Sequence, residues 1–436
     1  MRFRVPVAFL SATIGAIVAS SIGVSAGPAP IVVSDTTNPT TTTVGGAPVL
    51  NTTRTVQHWS GTTFDAHNGV TYQYNMVGAD PNNCVGAACD ATIPVDIIPL
   101  NVNVAGQSFN AGPDVIQAIL ASPQFQPGDY TSTSAASTAP STANPFGGSQ
   151  GPGGPLSAGN TGVQLEDAVM RSQFNKVGTG YHLRLAQPVV HDAITIDVSA
   201  EHGVIATRNP ARGVYFADVN IQWWSAELQN LNNSLGYIDP THLPIYVTNE
   251  VMLYIGKNPA SCCVFGFHGA GIVPGKTNGP GHGNGNNPVQ TYAWSTYVTP
   301  GTFNPHTAWA IQDIDGLSHE ISEWADDPFV NNTVEPWIVA FQPQYPCTSV
   351  METGDPVVAI GFSKGVNTFE QTPSSTGGVF YDGTYHPEDE VFLPWFMRSH
   401  PNTISQPTQS PSVDVGRYTF MGDLNGFGFN TGAPSC

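Results

Sequence analysis

Apolar and polar positions recur along this 436-residue chain with two different periods. Val70, Tyr72, Tyr74 and Met76 alternate with Thr71, Gln73 and Asn75, which predicts a strand with one buried face. Residues 92–104, 189–190, 194–198, 243–255 and 289–298 are apolar and β-rich, and predict further strands. Residues 214–224 read as another, ending in the pair Trp223-Trp224. Helical spacing shows at 115–120 and at 163–177, through Leu165, Ala168, Val169 and Phe174. It is clearest at Ile314, Leu317, Ile321 and Trp324, with Pro328 as the stop. Residues 128–162, rich in Ser, Thr, Ala, Gly and Pro, predict a long insertion of low order, and 274–288 a second long loop. Strands and a few helices without regular alternation predict a loop-rich α+β fold on a mixed or antiparallel sheet.

The ends and the charge add context. Arg2 and Arg4, an apolar stretch to Ala19 and the small residues Val24-Ser25-Ala26 have the layout of a secretory signal, with cleavage expected before Gly27. No later run is long and apolar enough to predict a membrane anchor, so the expected product is secreted, extracellular or periplasmic. Residues 27–55, rich in Thr and Pro, read as a disordered tether, and 56–436 as one α+β domain. The chain carries 13 Lys+Arg against 32 Asp+Glu, a net of −19 with only 10% of residues charged. That bias argues against a nucleic-acid partner and suits cation binding or solubility. Six cysteines in an exported chain imply disulfides. Cys84 and Cys89 can close a tight loop. The adjacent Cys262 and Cys263 would more easily pair with the distant Cys347 and Cys436 than with each other, and the spacing leaves the connectivity open.

The candidate chemistry lies on the clearest helix. Asp315, His319, Glu323 and Asp326 fall at i, i+4, i+8 and i+11, a ribbon along one face. His319 and Glu323 can converge on one ion, with Glu320 about 100° round the helix beside it. Zinc peptidases place two histidines and a glutamate base in this way, so the helix is zincin-like with Glu323 replacing the second histidine. The added negative charge tilts the expected Zn2+ site toward Ca2+ or Mn2+. A third ligand is expected from Glu352, then Asp355, then His268, with Glu320 as catalytic base. Asp327 is expected to cap the helix or orient a ligand, and Asp315 to be a surface or supporting carboxylate. Against this stand three plainer readings: a solvated helix face, a turn with capping carboxylates at 352–355, and a buried hydrogen-bonded His268.

Four blocks occur in order. They are Thr161-Gly162-Val163-Gln164-Leu165-Glu166-Asp167-Ala168-Val169-Met170-Arg171-Ser172-Gln173-Phe174, then Gly266-Phe267-His268 with Thr291-Tyr292-Ala293-Trp294, then Ser318-His319-Glu320 through Glu323 to Asp327-Pro328, and Glu352-Thr353-Gly354-Asp355. Together they resemble a secreted bacterial family associated with the phosphate-induced (EXORDIUM-like) proteins of plants. The resemblance covers roughly residues 90–360, with Val163, Leu165 and Asp326 as departures. It implies a zincin-like fold around the His-Glu helix. The cell-wall association of the plant proteins implies a non-enzymatic alternative.

Two rival sites are visible. Gly361-Phe362-Ser363-Lys364-Gly365 fits a nucleophile elbow, with His386, His400, Asp382 and Asp389 downstream, but the residues that follow are poor helix formers. Trp223-Trp224 and the Tyr292, Trp294, Tyr297 strand offer aromatic surface for a sugar, although neighbouring strand residues face opposite ways. The expectation is a secreted metal-dependent hydrolase acting on a peptide or protein. The alternative is an extracellular wall- or matrix-associated protein that binds polysaccharide.

Overall fold

The computed structural model describes residues 43–45, 54–65, 67–137, 150–154, 156, 159–209, 213–273, 288–303, 309–338, 347–368, 382–398, 418–422 and 432–436. The expected signal segment and His400 lie outside these residues, as do most of the tether and of the loop at 274–288. Nine elements frame the site: β1 (Val95–Val104), α1 (Leu165–Gln173), β2 (Val214–Asn220), α2 (Ile221–Ser234), β3 (Leu243–Asn249), β4 (Val251–Tyr254), β5 (Gly266–Ile272), β6 (Val289–Tyr297) and α3 (Asp315–Asp326).

β1, β3 and β6 lie side by side and parallel, with Ile245 of β3 level with Ile97 and with Ala293. β5 closes one edge antiparallel, His268 opposite Ala293. Residues 189–190 and 194–198 extend β1 in parallel and Gln107–Asn110 in antiparallel, giving a seven-stranded mixed sheet. The fold is therefore α+β, with the mixed sheet the patterning predicts.

Alternate side chains sort into two cores. Val95, Ile97, Ile245, Val247 and Ala293 meet Leu317, Ile321 and Trp324 of α3. Ile98, Leu100, Tyr246, Tyr292 and Trp294 meet Trp224 and Leu228 of α2 on the opposite face. A sheet covered on both sides explains why every residue of β6 is buried, the polar Gln290, Thr291, Ser295 and Thr296 included. Trp324 Nε1 donates to Thr291 Oγ1 at 3.0 Å, so the indole is both packed and hydrogen-bonded, and α3 is fixed across the middle of the sheet.

Three local expectations change. The Trp pair is not on a strand, because β2 stops at Asn220 and Asn220 Oδ1 accepts from Trp223 N–H at 3.1 Å, capping α2. Trp224 is fully buried and Trp223 stacks on His202 at 5.1 Å, so the pair forms no open platform. The helix expected over 163–177 shortens to α1, with Val163 in a strand. Within the insertion, Tyr130 and Leu156 are buried with Val163 and Leu165, and Ala135–Ser137 pairs with Gln150–Pro152.

Cys84 bonds Cys89, as expected. Cys262 and Cys263 bond each other, and Cys347 bonds Cys436, correcting the expected long-range pairing. The two distant cysteines satisfy each other, with Cα atoms 5.8 Å apart.

Candidate metal centre

Helix α3 has no solvated face, since all twelve of its residues are buried. Its apolar side meets the sheet. Its polar side is roofed by α1 and by two C-terminal segments, 351–360 and 385–393. Ser322 Oγ donates to Glu166 Oε2 at 2.7 Å, and Gln173 Nε2 to Asp326 Oδ1 at 2.7 Å. Gln173 Oε1 in turn accepts from Leu393 N–H at 2.7 Å, and Val391 N–H donates to Thr353 O at 2.9 Å, so the roof is cross-linked by hydrogen bonds. Two glycines let the roof and β5 press on the functional side chains. A Cβ at Gly354 would stand 2.5 Å from His319 Nδ1, and one at Gly266 would stand 2.7 Å from Glu320 Oε1.

His319 is held by its own ring. Nδ1 lies 2.9 Å from Glu388 Oε1, the geometry of an N–H donated to a carboxylate. That partner directs Nε2 the other way, the orientation found in metal-bound histidines, whose Nε2 gives up its proton for the metal. Nε2 lies 3.1 Å from Glu323 Oε1 and 3.8 Å from Asp355 Oδ1. It is buried and makes no hydrogen bond, because the short approach to Glu323 lacks hydrogen-bond alignment. Glu323 Oε1 is oriented by the N–H groups of Gly354 and Asp355, each at 3.2 Å. His319, Glu323 and Asp355 thus bring three donor atoms within 4.8 Å of one another.

His268 faces the same glutamate from β5. Nδ1 lies 3.4 Å from Glu320 Oε2 and 3.6 Å from Glu323 Oε2, and these three residues form a second set within 4.8 Å. Nε2 lies 3.2 Å from the Asp327 carbonyl and 3.9 Å from Glu352 Oε2. Asp327 ends α3, and its carboxylate accepts from Asn331 and Asn332 N–H groups at 2.9–3.1 Å. A water-sized cavity beside Glu320 is lined by Phe265, Gly266, Asp315, Gly316, His319, Val358 and Glu388.

The electrostatics follow from burying many acids with few partners. Among the described residues, the ion pairs made by Glu320, Glu323, Glu352, Asp355 and Glu388 are all with His268 or His319. Burial, with the charges of Glu323 and Asp355, holds the Glu352 carboxyl well above its ordinary range, and neither of its oxygens is hydrogen-bonded. Burial pushes Glu320 up to about 7. Burial also pushes Glu323 upward, but the His319 charge outweighs it and the carboxyl is lowered. For His319, burial opposes the charged ring, while Glu323 and Glu388 overcome it and raise the pKa well above its ordinary value. The two sets of donor atoms could each hold a metal ion, whose charge would offset these carboxylates.

The donor set fits Zn2+ or Mn2+ better than Ca2+, because each set mixes one imidazole with carboxylates and Ca2+ favours oxygen ligands throughout. Of the residues expected from the sequence, His319 and Glu323 meet as the helix spacing predicts. Asp355, ranked second, joins them. Glu352, ranked first, stands nearer His268, and His268 joins Glu320 rather than His319. Asp315 is 4% exposed and lies against Glu388, so it is no surface carboxylate. Glu388 was not among the expected residues, although the run Glu388-Asp389-Glu390 is conspicuous in a chain so poor in charge.

The rival serine site lacks the triad order. Ser363 is buried and its Oγ donates to Asp382 at 3.3 Å; Asp382 lies 3.4 Å from His386 Nε2, so a carboxylate stands between serine and imidazole, and His386 Nδ1 lies 2.7 Å from Asp313. The described residues directly after Ser363, 364–368, form no helix. Searches found no matching protein-family model, curated protein or solved structure, so the resemblance to the plant proteins rests on the four blocks alone.

Proposed function

We propose that this protein is a secreted metal-dependent hydrolase of peptide or protein substrates, with its ion held by His319, Glu323 and Asp355. One observation carries the reading: His319 is backed by Glu388 through Nδ1 and presents a buried Nε2, free of hydrogen bonds, to two carboxylates. When bound, a divalent ion supplies positive charge that acidifies a nearby water and polarises a carbonyl. Glu320, which lines a water-sized cavity together with His319 and Glu388, would take a proton from a water beside the ion and return it to the leaving amine. Glu388 keeps the His319 ring in the tautomer and orientation that leave Nε2 available. The Gly354 and Asp355 N–H groups hold Glu323 in place.

A second reading has its own support. His319, Glu320, Glu323, Glu352 and Asp355 are each 1–2% exposed, which suits an ion that ties α3 to the C-terminal segments of a wall- or matrix-associated protein without catalysis. The variant Glu320→Gln separates the two. Under the hydrolase reading it retains the ion held by His319, Glu323 and Asp355 and loses peptide cleavage by about 100-fold or more. A metal-replete wild type that cleaves no peptide and binds polysaccharide favours the second reading. Cleavage that survives Glu320→Gln refutes the assigned base.

A further inference from the structure

We propose that the centre takes two divalent cations rather than one, bridged by Glu323, with His268 and Glu320 holding the second. The inference rests on the reading of His319, Glu323 and Asp355 as a cation site and extends it. Glu323 turns one oxygen to each histidine: Oε1 lies 3.1 Å from His319 Nε2, and Oε2 lies 3.6 Å from His268 Nδ1. A carboxylate presented in this way is a bridge.

Bond lengths decide between one ion and two. Zinc–ligand bonds of about 2.0–2.2 Å put any two donors of one ion no more than roughly 4.4 Å apart. The donors of His268, Glu320, His319, Glu323 and Asp355 form two sets within 4.8 Å and not one, with Glu323 common to both. One ion cannot reach all five residues as they stand, whereas each set of three could hold its own ion after side-chain shifts of a few tenths of an ångström, with Glu323 shared.

The second set has the features of a ligand site. His268 Nε2 sits 3.2 Å from the Asp327 carbonyl, an acceptor for the Nε2 proton, and this turns Nδ1 toward Glu320 and Glu323. Either a ring proton or a cation satisfies two carboxylates facing Nδ1, and the count of bound ions distinguishes the two. Glu352 provides an independent pointer: it is 1% exposed, neither oxygen accepts a hydrogen bond, and its Oε2 stands 3.9 Å from the His268 ring. Glu320 serves the second ion through Oε2, while Oε1, packed against Gly266, remains beside the water-sized cavity. The second cation therefore leaves Glu320 an oxygen with which to accept a proton.

Manganese tests this because its spin reports a neighbour. The full secreted chain is loaded with Mn2+, dialysed, and examined by elemental analysis and by electron paramagnetic resonance, alongside His268→Ala. The expected result is two Mn2+ per chain with an exchange-coupled spectrum, falling in His268→Ala to one Mn2+ with an uncoupled six-line spectrum. One Mn2+ in both proteins overturns the second site and leaves the first intact. No Mn2+ in the wild type overturns the first site as well. Should His268→Ala fail to fold, the wild-type stoichiometry and spectrum decide alone: a single uncoupled equivalent refutes the inference.

Discussion

Removing cations should make this protein less stable as the pH rises from about 4.5 to 7, and restoring them should offset that loss. Asp326, Asp327 and Asp389 are buried, and burial pushes each from the ordinary 3.8 up to about 7. A carboxyl raised in this way stabilises the fold fully below its unfolded pKa and loses that contribution as pH rises through the folded value. One such group, moved over about three pH units at about 1.4 kcal/mol per unit, contributes up to roughly 4 kcal/mol. Asp326 and Asp327 are adjacent and act on each other, so their contributions do not simply add. His386, raised to about 9 mainly by Asp313 against its burial, acts in the same direction above 6.5. Glu323 and Asp382 are lowered, and their opposite contribution is complete by about pH 4.5. Between 4.5 and 7 the slope is therefore negative. A bound cation adds RT ln(1 + [M]/Kd), about 2.7 kcal/mol at a hundredfold excess over Kd, and more at pH 8 than at pH 5 because its ligands must be deprotonated. Urea unfolding followed by fluorescence of the buried tryptophans, at pH 5, 6.5 and 8 with EDTA or Mn2+, measures both effects. Metal-free stability that is flat or rising over this range, or an equal gain from Mn2+ at pH 5 and 8, would refute the reasoning.

Three substitutions extend the account. Glu388→Gln removes the carboxylate behind His319 and should weaken Mn2+ or Zn2+ binding by about 10–100-fold with little change in fold, measured by calorimetric titration. Gly266→Ala places a methyl 2.7 Å from Glu320 Oε1 and should cost roughly 1–3 kcal/mol in urea unfolding, with Glu320 displaced. Unchanged stability would show that β5 does not press on that side chain. Ile321→Ala empties a fully buried position between α3 and the sheet and should cost roughly 2–5 kcal/mol; a loss under about 1 kcal/mol would contradict the packing described.

Much of this architecture was legible because each element obeys a single period. Val70–Val77, β1 and β6 appear where alternation or β-branched runs place them, and α3 appears where Ile314, Leu317, Ile321 and Trp324 mark its buried stripe. The Trp223-Trp224 pair was misread because aromatic residues continue the β-like run of β2, while the decisive signal was the cap at Asn220. The donors on α3 were readable from the geometry of one helix. Their partners were not, because Asp355, Glu388 and His268 arrive from segments up to 69 residues away whose approach depends on tertiary packing. Periodicity likewise gave no hint that the polar face of α3 would be roofed, since charged residues on a helix normally meet water.

The central claim is that His319, Glu323 and Asp355 hold a cation, and anomalous diffraction from crystals grown in Mn2+ tests it most directly. The account predicts an anomalous peak about 2.0–2.3 Å from His319 Nε2 and from carboxylate oxygens of Glu323 and Asp355. An ordered structure at saturating Mn2+ with no peak among these three side chains, and with His319 Nε2 hydrogen-bonded instead to a carboxyl, would contradict it.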